Sequence, residues 1–573
     1  MEFVITASYE DIFNDKRPEI SNLLSGIPSS VILRLLSYFD SQLFLNEDLQ
    51  TQFKLLKVLL KRQTIDSIIS LIHNYGVLKK NAKESEISIL SRLYIKSFIH
   101  YELINYRELP TLYDTTPTQE LNIFKAYLII ASIKSSEIQN FCLRKSKKTE
   151  DDFFSTHTWP MIINQLDANT LINPIPQMIR GICLLNYLQY HSNYSKYVDS
   201  FLEKKELSNS WEYIITLSDI VQSSWDKSAK GDKRYSFNCP DKFESLFDNI
   251  SIDPSEYRAK YLNKKEEYSL LKSKPLFKLN KTYYVLDWNF MPNKIYEGLI
   301  FDFYNESGIK ELKSLNSIPK FKKLIGYEIT EKLIFRTLLR IIFKDKYSKL
   351  IFSEKDSNGE PDAYYRKGNN VILFEIKDSF FPTSAINSST FEDIKSAIDE
   401  KYNTDKKGTG QLLKQMNRVK DNSFEDRDYN SLKLKARNFN IYPVLIYTDK
   451  FFGMGGVSNY LIKELDNRIN QADLRKSFKK INNLTFLSLD YLILHSKFLG
   501  NNNFIKIIDK LHQVIDDRKK KEERIKEVPV LLRYNENIEQ ILKESHKTED
   551  NKEMDIEEIA NALNITEGLP KAE

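Results

Sequence analysis

The run Pro361-Asp362-Ala363-Tyr364-Tyr365-Arg366-Lys367-Gly368-Asn369-Asn370-Val371-Ile372-Leu373-Phe374-Glu375-Ile376-Lys377-Asp378, entered through Gly359-Glu360, decides the reading of this chain. Two segments rich in aromatic and β-branched residues flank Gly368-Asn369, a dipeptide suited to a two-residue primed turn, so the run reads as a β-hairpin. Cross-strand partners about that turn have residue numbers summing to 737, which sets Asp362 opposite Glu375. Opposed residues of an antiparallel pair hold their Cβ atoms about 4.5 to 5.5 Å apart. Both carboxylates then reach one cation; without a cation or a proton they repel. Glu375 and Lys377, two apart, share a face of the strand, while Phe374 and Ile376 point to the other and suit a buried sheet surface. A hard divalent ion on such carboxylates and a backbone carbonyl polarises a phosphodiester and acidifies a bound water. An ammonium beside it stabilises charge building on the phosphate.

Outward from the hairpin, apolar spacing predicts a helix over about 324–343, a strand at 350–354, the hairpin strands at 361–366 and 371–377, and a short helix at 391–402. A helix at 410–419, a strand at 441–447, a further helix and a strand at 484–489 follow, giving an α/β unit with a mixed sheet between helices. This order, with Pro361-Asp362 and Glu375-Ile376-Lys377, resembles the PD-(D/E)xK nuclease superfamily, the restriction-endonuclease-like fold, over roughly 324–490. The resemblance implies a phosphodiesterase, an endonuclease rather than an exonuclease. Asp362, Glu375 and Lys377 would be its catalytic residues, and Asp362, Glu375 and the Ile376 carbonyl would hold Mg²⁺, for which Mn²⁺ substitutes.

The family often carries an acidic residue on the helix before the first strand. Glu328 and Glu331 are the candidates; Glu331 is favoured because it continues the stripe Tyr327, Ile334, Leu338, Ile341 that should face the sheet. The competing explanation is that both acids solvate a helix start. On the helix at 410–419, Gln411, Lys414, Gln415 and Arg418 form a polar stripe, and Leu412, Leu413, Met416 and Val419 a buried side. Gly408-Thr409-Gly410-Gln411-Leu412 is similar to an opening found in nucleases of this class, which makes Gln411 and Lys414 candidates to contact nucleic-acid phosphate. A plain solvated face would leave the same pattern.

The chain has 573 residues with 84 Lys and Arg against 79 Asp and Glu, a net charge of +5. That mild total hides a basic middle: 16 basic against 8 acidic residues over 271–350, and 10 against 5 over 401–440. Concentrated cations are what phosphate neutralisation needs. From residue 535 the balance reverses to 4 basic and 11 acidic, a partly helical or flexible tail. Four parts are expected: a helical region over 1–225, a connecting segment with a β-hairpin over 226–323, the nuclease-like unit over 324–515, and the acidic tail over 516–573. The first shows helical periodicity at 29–39, 53–75, 87–103 and 121–133 without a repeat period.

Other patterns carry less. Gly453-Met454-Gly455-Gly456 leads into a helix, but Ser458 stands where a dinucleotide loop needs its third glycine, so an ordinary strand-to-helix connection is expected. No GxxxxGK[ST] loop is present. Cys142, Cys183 and Cys239 and the seven histidines lack ligand spacing, which points to a reducing, cytoplasmic setting, and no apolar run suits a bilayer. The expected function is a metal-dependent nuclease acting on nucleic acid, DNA before RNA, in bacterial restriction or anti-phage defence. The alternative is a non-catalytic nucleic-acid-binding or assembly protein that keeps the fold. Cutting both strands with one site per chain calls for a homodimer or two successive events, and the N-terminal region is where a partner protein would engage.

Overall fold

The computed structural model describes residues 5–13, 15–44, 46–62, 67–68, 70–71, 87–110, 114–143, 159–163, 165–168, 172–225, 234–264, 266–353, 361–421, 426, 434–524 and 556–565. Gly359 and Glu360, position 354 of the first expected strand, the joint at 226–233 and most of the acidic tail lie outside them.

The chain is α/β, with a mainly helical N-terminal region ahead of a mixed sheet. The sheet comprises β1 (Ser348–Phe352), β2 (Ala363–Lys367), β3 (Asn370–Lys377), β4 (Asn440–Tyr447), β5 (Lys480–Ile481) and β6 (Thr485–Ser488). β1, β2 and β3 form an antiparallel meander; β4 runs parallel to β3, and β5 and β6 both pair parallel with β4 on its far side. The register of β2 and β3 is the expected one, from Lys367 opposite Asn370 to Ala363 opposite Phe374. Gly368 makes the turn at φ 57°, where an L side chain is strained.

β3 and β4 are buried on both faces, which explains their nearly unbroken apolar text. Pro443, unusual inside a sheet, sits where the neighbour of β4 changes: Ile441 faces Ile481 of β5 and Val444 faces Thr485 of β6, so its missing N–H interrupts no pairing on that side.

Helices cover the sheet. The segment before β1 is continuous from Ile318–Leu324 through a π-helical stretch, Ile325–Phe335, into α1 (Arg336–Ile342). Between β3 and β4 lie α2 (Phe391–Tyr402) and α3 (Thr409–Lys420); α4 (Val457–Gln471) and α5 (Leu489–Asn501) complete the layers. α4 buries Val457, Leu461, Leu465 and Ile469, an i, i+4 row. The Gly453–Gly456 stretch is a strand-to-helix connection, and Trp159 Nε1 donates to the Gly455 carbonyl at 3.0 Å.

Among the described residues, two apolar clusters form the interior. One gathers the first helices, Ile12 to Ala131, with Tyr257, Leu271 and Phe290. The other runs from Trp159 and the helix Pro174–Tyr190 through the sheet to Ile565. The connecting segment at 226–323 contributes to both, Leu286 to the first and Trp288 to the second. In the tail, Ile556–Ala562 is helical and buries Ile559, while Glu558 pairs with Lys344.

Candidate functional site

The site residues lie at one end of the sheet. Asp362 immediately precedes β2, and its Oδ2 accepts the Ile376 N–H of β3 at 2.8 Å, which ties the two strands at the level of Glu375. Glu375 is 0% exposed, placed by a strand whose flanking residues Phe374 and Ile376 are core. A carboxylate there needs partners. Lys377 Nζ donates to its Oε1, and Gln415 Nε2 of α3 donates to Oε2 at 2.7 Å. Lys377 Nζ also donates to Gln411 Oε1 at 3.2 Å, so one cation bridges β3 and α3.

Burial drives the Glu375 carboxyl well above its ordinary value, and Asp362 adds to the rise; Lys377 opposes it. Burial alone would depress Lys377, but Glu375 and Asp362 outweigh it and hold the ammonium at about 12. Glu331, on the π-helical stretch, is raised to about 7 by burial and then by Asp362, against Arg336 and Lys377. Arg336 lies 3.6 Å from it. Glu331, not Glu328, is therefore the helix acid in the field of the site; Glu328 pairs with Lys332 at 3.3 Å.

The path to that placement differs from an α-helical stripe. Wider π turns bury Ile325, then Ile329 and Thr330, then Ile334 and Phe335, and leave Tyr327 and Glu331 half-buried beside this row. The Arg336 N–H bonds back to the Glu331 carbonyl, five residues away.

The start of α3 carries two glycines, Gly408 just before it and Gly410 in its first turn, that no other residue replaces without movement. A Cβ at Gly408, whose φ is 59°, would lie 2.1 Å from the Tyr402 carbonyl, and one at Gly410 would lie 2.2 Å from the Thr404 carbonyl. That close approach directs Gln411 toward Lys377. Lys414 stands exposed on the outer face of α3, with Asp405 in its field. Ile376 is buried between Glu375 and Lys377.

Two participants escaped the sequence reading. Gln415 was part of a stripe expected to face water, yet it is fully buried, and its Oε1 has no hydrogen-bond partner among the described residues. Its i, i+4 spacing from Gln411 was the available signal. Asp378, one position past Lys377, accepts from Lys322 Nζ at 2.6 Å and from the Thr330 and Thr448 hydroxyls at 2.7 Å each. It pins the π-helical stretch and the residue after β4 to the end of β3.

No family model, curated protein or solved structure matches the chain. Among the described residues, no group of three or more His, Cys, Asp or Glu side chains is arranged to hold a metal ion. No helix among them is long and apolar enough to cross a membrane.

The raised carboxyls have a measurable consequence. Their folded-state proton affinity exceeds the unfolded one, so the stability they confer is complete below the ordinary glutamate value of 4.5 and is lost as pH rises through about 7 for Glu331. In EDTA, the unfolding free energy is expected to fall by about 1–3 kcal/mol from this cluster between pH 5.5 and pH 8, which is read as a lower melting temperature. Glu331→Gln should flatten that fall; an unchanged slope would contradict the assignment.

Proposed function

We propose that the chain is a Mg²⁺-dependent nuclease built on a restriction-endonuclease-like core, hydrolysing phosphodiester bonds of DNA within the strand. One observation carries the reading: Asp362, Glu375 and Lys377 converge on one end of the sheet, with Glu331 in their field and Gln411 on Lys377. The donors suit a hard cation, because Asp362 and Glu375 offer carboxylate oxygens whose crowding raises Glu375, and opposite charge would relieve it. Asp362, Glu375 and the Ile376 carbonyl would hold Mg²⁺, or Mn²⁺ in its place, with Glu331 at the rim. Such an ion supplies Lewis-acid polarisation of the phosphate and an acidified water.

The protein's own groups do the rest. Lys377, partly exposed, turns from Glu375 toward the phosphate and stabilises its developing charge, with Gln411 limiting its swing. Gln415 orients Glu375. Gln415→Leu is expected to cost about 10- to 100-fold in metal affinity or rate, as losses of such supporting hydrogen bonds do; cleavage at unchanged Mg²⁺ dependence would refute this role. Lys414 supplies a solvent-facing cation one turn from Gln411 for backbone phosphate. Cleavage of a duplex then calls for a homodimer or two successive events, or a partner engaged through the N-terminal region. Cytoplasmic restriction or anti-phage defence is the role that fits such an enzyme.

The Lys377–Glu375 ion pair favours one second reading, a docking protein that binds nucleic acid without turnover, because it neutralises the central carboxylate internally. Incubating the full chain with linear and circular DNA, single-stranded DNA and RNA, in Mg²⁺, Mn²⁺ or EDTA, separates the two. Metal-dependent cleavage supports the nuclease; salt-sensitive binding without cleavage in any metal supports docking.

A further inference from the structure

Away from this site, a cavity of about 460 Å³ lies where the N-terminal helices meet the segment following β3. Its size is that of small-molecule sites. At its buried end Lys96, 2% exposed, has no hydrogen-bond partner for Nζ among the described residues. The ammonium sits 5.0 and 5.2 Å from the ring centroids of Tyr268 and Phe290, and 3.8 Å from Asp287, a carboxylate that Arg92 shares at 3.4 Å. A buried ammonium with three unused donors is costly unless an acceptor arrives.

The other charges of the cavity are largely settled. Lys272 holds Asp167 at 2.5 Å and Lys134 holds Glu266 at 2.6 Å. Lys264, at the exposed side, makes no ion pair among the described residues, and Glu137 and Glu267 stand on the same lining. Leu93, Ile163 and Ile386 provide apolar wall. Anion-seeking lysines, an aromatic ring with apolar wall, and two carboxylates able to accept from an amine occur together.

We propose that this cavity binds a small phosphate monoester carried on an amino-bearing aromatic body, a mononucleotide such as AMP, with Lys96 taking the phosphate at the buried end and Lys264 at the mouth drawing the anion in. Glu137 or Glu267 accepts from the ring amine, and Tyr268 lines the ring. Thr383, Asn387 and Ser389 belong to the same lining and lie on the segment that leaves the end of β3, so an occupant bridges the N-terminal helices and the sheet unit. This site does not depend on the nuclease reading.

The test is direct binding to the full chain by calorimetry, with AMP and adenosine as probes. AMP should bind saturably, at least about tenfold more tightly than adenosine, as one charged hydrogen bond provides. Lys96→Met should remove that preference, and Lys264→Glu, on the exposed side where folding is not at stake, should weaken AMP by a similar factor. Failure of AMP to bind the wild-type chain, equal binding of adenosine, or undiminished AMP affinity in Lys264→Glu would each overturn the proposal, whatever the cleavage assays show.

Discussion

Glu375→Gln is expected to lower metal-dependent cleavage by at least about 10²-fold, the usual cost of losing one preorganised charge at a reacting phosphate. The substitution keeps the side chain's shape and its contact with Gln415, so the fold and nucleic-acid binding should persist. It removes the repulsion from Asp362 together with the ion pair to Lys377, two opposed changes, so the metal-free protein should melt close to wild type at pH 8. Lost cleavage with retained stability is the signature of a functional carboxylate. Wild-type cleavage in this variant would remove Glu375 from the chemistry.

Lys377→Met should produce a loss of similar size, about 10²-fold, by a different route. The lysine donates to Glu375 and Gln411, and its substitution leaves both carboxylates in place. At pH 8.5, where protons compete least, the variant should therefore need no more Mg²⁺ for half-maximal residual cleavage than wild type, whereas Glu375→Gln should need more. A Lys377→Met enzyme whose entire defect is cured by raising Mg²⁺ would show that the lysine only helps hold the metal.

The hairpin at the centre of the site was legible in the sequence because its determinants are local. Gly368 supplies the positive φ, the runs on either side are rich in aromatic and β-branched residues, and a one-residue slip would turn Glu375 away from Asp362. Glu331 rather than Glu328 lies in the field of Asp362 and Lys377, but not by way of the α-helical stripe, because π turns bury residues about every four to five positions rather than at α spacing. Nothing in helical periodicity announces that change.

Gln415 was misplaced for a more general reason. Amphipathic reading sends polar stripes to water, and that logic inverts where a buried carboxylate needs donors, as Glu375 does. The tail shows the converse: eleven acids from residue 535 mask Ile559, Leu563 and Ile565, which are buried. Long-range packing was the least visible. Helical spacing gives no sign that Arg180, on the helix Pro174–Tyr190, reaches Asp490 of α5 at 3.2 Å, or that residues of the connecting segment such as Trp288 are core.

The central claim is that Asp362, Glu375 and Lys377 form one metal-dependent phosphodiesterase site. Its most direct test is cleavage of supercoiled plasmid DNA by wild type and by Asp362→Asn, matched for folding and DNA binding, in Mg²⁺ and in EDTA. Nicking or linearisation by wild type in Mg²⁺ alone, with none by Asp362→Asn, is the result this site predicts. Equal cleavage by the two proteins, or cleavage that survives EDTA, would contradict it.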